Sequence, residues 1–374
     1  VARSRENDAC PGALQTHRAA DGDLARIRLP GGTITSAQMD ALASAAIDFA
    51  ASTLELTSRG NLQIRGVDDT DAVARLLSES GLLPSATHER VRNIVASPLS
   101  GRSGGLCDTR QLVLALDDAV QRDADLVHLP GRFLFGIDDG RGDVSGLAAD
   151  VGVHALDPST AALLLAGRDT GVRLALSDTV DELLAIARRF VAIREKAWRV
   201  DELDDPTTLL GGRTPTAPPG ATWHGPTRPP VGWIEQDDGR IALGAAIPLG
   251  VLDAQVARYL AAVDAPMAVT PWRSVLLFDL DEGVADVALR VLAPLGLVFD
   301  ENSPWLSVSA CTGSPGCAHS AADVRADAAA AATGDPAGTG HRHFVGCDRA
   351  CGSPMGVEVL VATGDGYRRR EPHP

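Results

Sequence analysis

Two pairs of cysteines stand near the C-terminal end of this 374-residue sequence, in the pattern Cys311-x5-Cys317-x29-Cys347-x3-Cys351. Elsewhere the chain has only Cys10 and Cys107. Four thiols in two close pairs can converge on one soft metal centre. The glycines and prolines among them (Gly313, Pro315, Gly316, Gly346, Gly352, Pro354) let the backbone turn tightly there. Paired disulfides suit small secreted domains, whereas a chain this long buries a large core without them. Zinc knuckles usually show C-x2-C, which neither pair matches. The spacing therefore predicts an iron–sulfur cluster on these four residues, ahead of structural zinc.

Composition bounds the rest. Apolar residues make up 45% of the chain, enough for a folded core in roughly two to three domains. No run of about 18 uncharged apolar residues is present, so a membrane helix is not expected. The opening residues, VARSRENDACPGALQ, carry neither a hydrophobic stretch nor a secretory cleavage pattern. The expected location is cytoplasmic, where thiols stay reduced. A formal charge of −15, with arginine supplying nearly all the positive charge, argues against a nucleic-acid partner. An acidic electron carrier would need a local basic patch to dock.

The elements that must position the cysteines are written twice. DGDLARIRLPGGTITSAQMDALA, from Asp21, reads as strand, Gly-Pro turn and a helix started by Ser36; DGRIALGAAIPLGVLDAQVARYL, from Asp238, repeats that order with Asp253 as N-cap. LTSRGNLQIRG and VTPWRSVLLFDL each read as a turn entering an apolar strand, and helices then lead to Gly81 and Gly296. VRNIVASPLSG holds the place of WLSVSACTGSPG. This order predicts α/β units with mixed or antiparallel sheets, paired about a pseudo-twofold because neither repeat buries its sheet alone. The Pro-, Gly- and Thr-rich stretch 204–230 reads as the connector, and 328–340 as a helix end and loop.

These features together resemble the sirohaem nitrite/sulfite reductase superfamily, which has two related halves, an R-x-N-x-Q strand motif and a C-x5-C…C-x3-C cluster site. Within it, ACPGALQ, DGDLARIR, TSRGNLQIRG, VRNIVASPLSG, LPGRFLFGIDDGRGDVSG and TPWRS look like the motif series of the precorrin-3B synthase family of aerobic cobalamin biosynthesis. The resemblance runs over nearly the whole chain. It implies an α/β (α+β), nitrite/sulfite reductase-like fold with two pseudo-symmetric halves. Residues 1–80 would be a first ferredoxin-like half-domain, 81–203 a first α/β domain and 204–230 a linker. Residues 231–300 would be a second ferredoxin-like half-domain and 301–374 the cluster-binding α/β domain.

The resemblance also implies a tetrapyrrole pocket between the halves. Arg59 and Arg92 match arginines of that pocket, and Arg132 falls where the reductases place a lysine. Leu134 falls at a second lysine of the reductases, which departs from a site that reduces sulfite or nitrite. The implied enzyme is an oxygen-dependent monooxygenase that turns precorrin-3A into precorrin-3B by meso-carbon hydroxylation with γ-lactone formation. It would use a 4Fe-4S cluster, a mononuclear non-haem iron, and NADH as ultimate reductant through a reductase or ferredoxin. One alternative is a sirohaem-dependent ferredoxin nitrite or sulfite reductase; another is a non-catalytic iron–sulfur electron-transfer protein.

Read without the family, Asn61, Gln63 and Arg65 alternate along a strand and share one face with Arg59, where they could face substrate or solvent. Arg92-Asn93 could be an ordinary surface turn, and Arg132 could pair with Asp138 or Asp139. The expected substrate-binding set is Arg59, Asn61, Gln63, Arg65, Arg92, Asn93 and Arg132, with no catalytic residue assigned. No facial triad is visible, and His128, His154, His319, His341 and His343 each read first as surface or core histidines. Cys10 lies in the ACPG motif, and Cys107 reads as a small apolar filler.

Overall fold

The computed structural model describes residues 10–223, 229–334, 340–354 and 356–370. Strands β1 (His17–Ala19) and β2 (Gly22–Ile27) pair, and β3 (Thr33–Ile34) leads into helix α1 (Ser36–Phe49). Thr35 caps this helix: its side chain accepts from the Gln38 N–H, and the Gln38 side chain accepts from the Thr35 N–H. β4 (Thr53–Leu56), β5 (Leu62–Val67) and α2 (Thr70–Glu79) complete the unit. A second unit follows with β6 (Ile94–Ala96), α3 (Arg110–Arg122), β7 (Phe135–Asp138), β8 (Val151–Ala155), β9 (Thr160–Leu165), β10 (Arg168–Ala175) and α4 (Thr179–Ile193).

The second half repeats this order. β11 (Gly232–Glu235), β12 (Ile241–Ala246), β13 (Val251–Asp253), α5 (Ala254–Ala261), β14 (Met267–Val269), β15 (Ser274–Leu280) and α6 (Glu282–Leu292) mirror the first unit. Asp253 caps α5 as expected, accepting from the Gln255 and Val256 N–H groups. The last unit holds β16 (Val308–Ala310), α7 (Val324–Thr333), β17 (Arg342–Val345), β18 (Glu358–Thr363) and β19 (Gly366–Arg369). Among the described residues no helix is long and apolar enough to cross a membrane.

The two halves exchange strands. One antiparallel sheet runs β1-β2-β5-β4-β13 and the other β11-β12-β15-β14-β3, so each takes an edge strand from the opposite half. Val251 lies opposite Glu55 in one exchange, and Met267 opposite Ile34 in the other. Helices α1 and α5 pack on each other, and both halves share one continuous apolar core. The remaining sheets are mixed. β6, β7 and β8 run parallel and β9 and β10 antiparallel, while β16, β17 and β18 are parallel with β19 antiparallel. The first of these has a large core that includes Phe133, Phe135 and Phe190. The core under β16–β19 is smaller and rich in alanine, with Val308, Val324 and Phe344 as its larger members.

The repeat extends to turns. Thr57 donates its N–H to the Asn61 carbonyl and Thr270 to that of Ser274, each at 2.9 Å. Gly60 and Arg273 hold the same left-handed place, at φ +66° and +60°, so Trp272 stands where Arg59 stands in the first half. The connector is no free spacer. Thr216 and Ala217 donate to the Gly171 carbonyl, and Leu209 and Leu210 are buried in the first mixed domain. Residues 224–228 of the connector and 335–339 of the later loop lie outside the described residues.

Strand ends repeat as well. The Asp139 N–H donates to Ser97 Oγ at 3.1 Å, and the Gly346 N–H donates to Cys311 Sγ at 3.3 Å, so Ser97 and Cys311 occupy equivalent corners. Asp138 and Asp139 are buried with Asp143 nearby in the first of these corners. Burial opposes ionisation of Asp138, but bonds from His154 and the Gly142 and Ser145 N–H groups hold it down to about 2. Burial, then the Asp138 charge, pushes Asp143 up to about 7.

Two outcomes are expected from this architecture. A Cβ on Gly32, at φ +73°, would lie 2.0 Å from the Val269 carbonyl oxygen in the exchanged pairing, whereas Gly239, at φ +82°, has nothing within 4 Å. Gly32→Ala should therefore cost about 1–3 kcal/mol more than Gly239→Ala, read from urea unfolding midpoints. Asp143 keeps a proton in the folded state that the unfolded chain releases near pH 4, so its contribution to stability falls as pH rises from about 4 to about 7. Asp143→Asn still lets the side-chain oxygen accept from Ser97. It should raise the Tm at pH 8 and leave it nearly unchanged at pH 4, as scanning calorimetry would show.

Candidate metal and tetrapyrrole site

The parallel strands of the last sheet deliver the cysteines. Cys311 follows β16, Cys347 lies two residues beyond β17, and the turns after each bring in Cys317 and Cys351. Close approach explains one of the glycines: a Cβ on Gly346 would lie 1.8 Å from Ser320 Oγ. Cys311, Cys317 and Cys347 are half-buried and Cys351 is exposed. Partial burial, then the nearness of Cys311, Cys347 and Cys317, pushes the Cys351 thiol up. One zinc ion bound at about 2.3 Å needs sulfurs roughly 3.8 Å apart. Among the described residues no three of these thiols come within 4.8 Å of one another. The donor set fits a larger body, such as a 4Fe-4S cluster with one thiolate at each corner.

Polar groups brace these loops. Arg65 Nη2 donates to the Gly316 carbonyl at 2.8 Å, beside Cys317, and Arg273 Nη2 to the Gly352 carbonyl at 3.2 Å, beside Cys351. His343, fully buried, is hydrogen-bonded to Ser309 Oγ at 2.8 Å and to the Cys351 carbonyl at 3.1 Å. Burial, then the Arg273 charge, holds its pKa at about 3, so the ring is neutral. His341 shares Ser309 at 2.7 Å. Both histidines therefore meet Ser309 on one side of the chain at β17 and act as struts.

A second concentration of charge lies across the first half. Arg28 is only 3% exposed, and its Nε and Nη1 have no hydrogen-bond partner. Its Nη2 donates to Cys10 Sγ at 3.3 Å and to the Pro11 carbonyl at 3.1 Å. Arg26 also donates to Cys10, at 3.4 Å. Burial, then neighbouring guanidinium charges partly offset by Cys10, lowers both Arg28 and Arg59 to about 10. Arg199 is the strongest charged influence on Arg59; it is itself paired with Asp150 at 2.7 Å. Arg132 is exposed and lies over the Trp198 ring at 5.2 Å, without the pairing to Asp138 or Asp139 that its sequence position allowed. Excess positive charge with unused donors is a setting for a polyanion. A separate open groove of about 740 Å³, lined by Arg194, Lys196, Glu202 and Asp204 among others, mixes both signs of charge.

Several residues expected to contact substrate have their polar atoms committed inside the protein. The Arg92 fork is bidentate with Asp117, at 2.7 Å on both arms. Asn61 Oδ1 accepts from the Leu29 N–H at 2.8 Å, and its Nδ2 donates to Asn93 Oδ1 at 3.3 Å. Asn93 Nδ2 donates to the Arg90 and Gly131 carbonyls. Gln63 accepts from Arg26 and donates to Glu55. Arg65 is held by Asp21 and by the cysteine loop. For Gln63 and Arg65 the reason is shared: β5 is buried on both faces, so alternation of residues did not expose a row to ligand or solvent. Arg59 lies half-buried in the turn before β5, and Arg132 is exposed. Arg26, Arg28 and Arg199 were not singled out from the sequence; the alternation in LARIR was the signal for the first two, and Arg199 had none.

Leu134 is buried with Val95, Val144 and Ala149, beside Trp272, in an apolar patch. The remaining histidines stay apart: His128 and His319 are exposed, and His154 lies 3.3 Å from Asp138 and stacks on Trp223 at 4.2 Å. The carboxylate oxygens of Asp138, Asp139 and Asp143 lie within 4.8 Å of one another. Cys107 is half-buried in a loop, where burial and then Asp139 push its thiol up.

Residues 17–79 match the family described as the nitrite/sulfite reductase ferredoxin-like half domain. The chain is 28% identical over 390 residues to a precorrin-3B synthase of a Sinorhizobium species, an alignment covering 97% of this chain and 82% of that protein. It is 35% identical over 127 residues to the ferredoxin–nitrite reductase of Synechococcus elongatus, covering 32% of this chain and 25% of that enzyme. The solved structure of the Mycobacterium tuberculosis NirA protein shares the fold: the TM-score is 0.75 at 17% identity, over 94% of this chain and 77% of that one. The exchanged half-domains, the mixed sheets and these likenesses agree: the chain has a nitrite/sulfite reductase-like fold and resembles a precorrin-3B synthase along nearly its whole length.

Proposed function

We propose that this chain is a cytoplasmic, oxygen-dependent monooxygenase that converts precorrin-3A to precorrin-3B in cobalamin biosynthesis. The observation that carries this reading is the likeness to a precorrin-3B synthase over 97% of the chain. The reaction hydroxylates the meso carbon between rings A and D and closes the ring A acetate as a γ-lactone. One O2 and two electrons, ultimately from NADH, are consumed, and the second oxygen atom leaves as water.

The chain's own residues supply binding and orientation. Precorrins carry several acetate and propionate groups, and guanidinium forks hold carboxylates at two points each. Arg59 and Arg28 are the principal cations of the proposed pocket, with Arg26, Arg199 and Arg132 around them. Arg28 Nε and Nη1 have no hydrogen-bond partner within the protein, so an arriving carboxylate would satisfy them. Orientation of the reacting edge is then catalysis by positioning. Cys311, Cys317, Cys347 and Cys351 would hold a 4Fe-4S cluster, which delivers electrons one at a time.

A second reading is a sirohaem-dependent nitrite or sulfite reductase, favoured by the 35% identity to a nitrite reductase over 127 residues. Leu134 counts against it. An apolar side chain among Val95, Val144 and Ala149 offers neither a proton nor a charge to an oxyanion under multi-electron reduction.

Anaerobically purified protein separates the two. The monooxygenase reading expects iron and sulfide without sirohaem bands, and an oxygen-dependent product one oxygen atom heavier than precorrin-3A. Stoichiometric sirohaem with turnover of nitrite or sulfite would overturn it. Arg59→Ala should weaken precorrin binding about 10- to 100-fold, roughly 1.4–2.8 kcal/mol, with the cluster absorbance intact; loss of the cluster spectrum would instead make Arg59 structural.

A further inference from the structure

Between the arginine pocket and the cysteine corner runs a buried chain of polar side chains on β4 and β5. Glu55 is 4% exposed and lies opposite Gln63 in the strand register. Its Oε2 accepts from Gln63 Nε2 at 2.5 Å and its Oε1 from Arg325 Nη2 at 2.5 Å, with Arg65 Nε 4.0 Å away. Gln63 has only one workable orientation. Its oxygen accepts two Arg26 bonds, at 2.8 and 3.2 Å, so its amide nitrogen must face the Glu55 carboxylate. Arg65 reaches from this network to the carbonyl that precedes Cys317. Arg325 lies on α7, between the two cysteine pairs in sequence.

We propose that Glu55 and Arg65 are positioning residues for the cysteine-bound cluster, which fix the Cys317 loop and, by their opposite charges, set the cluster's reduction potential. The inference rests on the reading that the four cysteines hold a 4Fe-4S cluster. Reduction places one further negative charge on that group. A buried carboxylate nearby opposes the gain and a buried guanidinium favours it, and neither is well screened by salt. Such outer partners commonly fix ligand loops and tune the metal they surround. Arg65 thereby leaves the list of substrate contacts for a task on the opposite side of its strand network.

The test is a potentiometric titration of the substrate-free protein, with dithionite as the one-electron donor and the reduced cluster read by electron paramagnetic resonance. Glu55→Gln should raise the midpoint potential and Arg65→Gln should lower it. Each change should be three- to tenfold in the redox equilibrium, about 28–59 mV for one electron. Arg65→Lys, which keeps the charge, should return most of the shift. A purely structural role predicts no opposition of sign, so full iron and sulfide content with unmoved or same-direction potentials overturns the inference alone. If either glutamine variant loses its cluster, Arg325→Gln decides: its side chain is 26% exposed and touches the site through Glu55. A lowered potential supports the proposal and an unchanged one overturns it. A wild-type protein without iron and sulfide overturns both this inference and the cluster reading, whereas precorrin binding is measured separately.

Discussion

The exchange of two short strands between the halves is the constraint on which the other features depend. β13 adds to the edge of β4 and β3 adds to the edge of β14, so each half supplies the missing edge of the other's sheet. Backbone groups on those edges would otherwise face solvent or a foreign chain. The exchange also fastens the functional turns. Val251 pairs with Glu55, at the centre of the polar network, and Ala268 pairs with Thr33 just before the turn that carries Trp272 and Arg273. The cysteine loops, the buried arginines and the network between them are therefore tied to the same exchanged framework.

On that framework, duplication has been followed by divergence at equivalent places. The Thr57–Asn61 and Thr270–Ser274 turns share hydrogen bonds and a left-handed residue, yet one presents Arg59 and the other Trp272. Trp272 packs beside Leu134, Val95, Val144 and Ala149 of the first half, so this turn presents an aromatic ring where its counterpart presents a guanidinium. Corners diverge in the same way. Ser97 accepts a backbone N–H as Cys311 does, but its neighbours are aspartates and the Arg141 guanidinium, which pairs with Asp139 at 2.7 Å. One copy closes the corner with an internal ion pair and the other leaves thiols for a metal body.

Much of this was legible in the sequence because it depends on local chemistry. The cysteine spacing, the N-cap at Asp253, the repeated turns and the equivalence of the segments holding Ser97 and Cys311 are all short-range signals. What escaped depends on partners distant in the chain. Strand alternation places Asn61, Gln63 and Arg65 on one face, but it cannot say that Arg26, Glu55 and the Gly316 carbonyl cover that face. Arg92 looked available because Asp117, which claims both of its arms, lies on a helix 25 residues on. The connector looked like a spacer by composition, whereas its backbone pairs with Gly171 and its leucines enter a core.

The last sheet has a small apolar interior: α7 and one face enclose alanines with Val308, Val324 and Phe344, and a further cluster holds only Val345, Ala350 and Val361. Where hydrophobic burial is this modest, bound metal supplies a larger share of the free energy that orders the chain. With the cluster proposed above on its four cysteines, iron supply and local folding would become a single equilibrium for this region, through the linkage that stabilises any state able to bind a ligand. Scarcity of iron would then be felt there first as loosened structure, and cofactor loading would double as a quality check on this part of the chain.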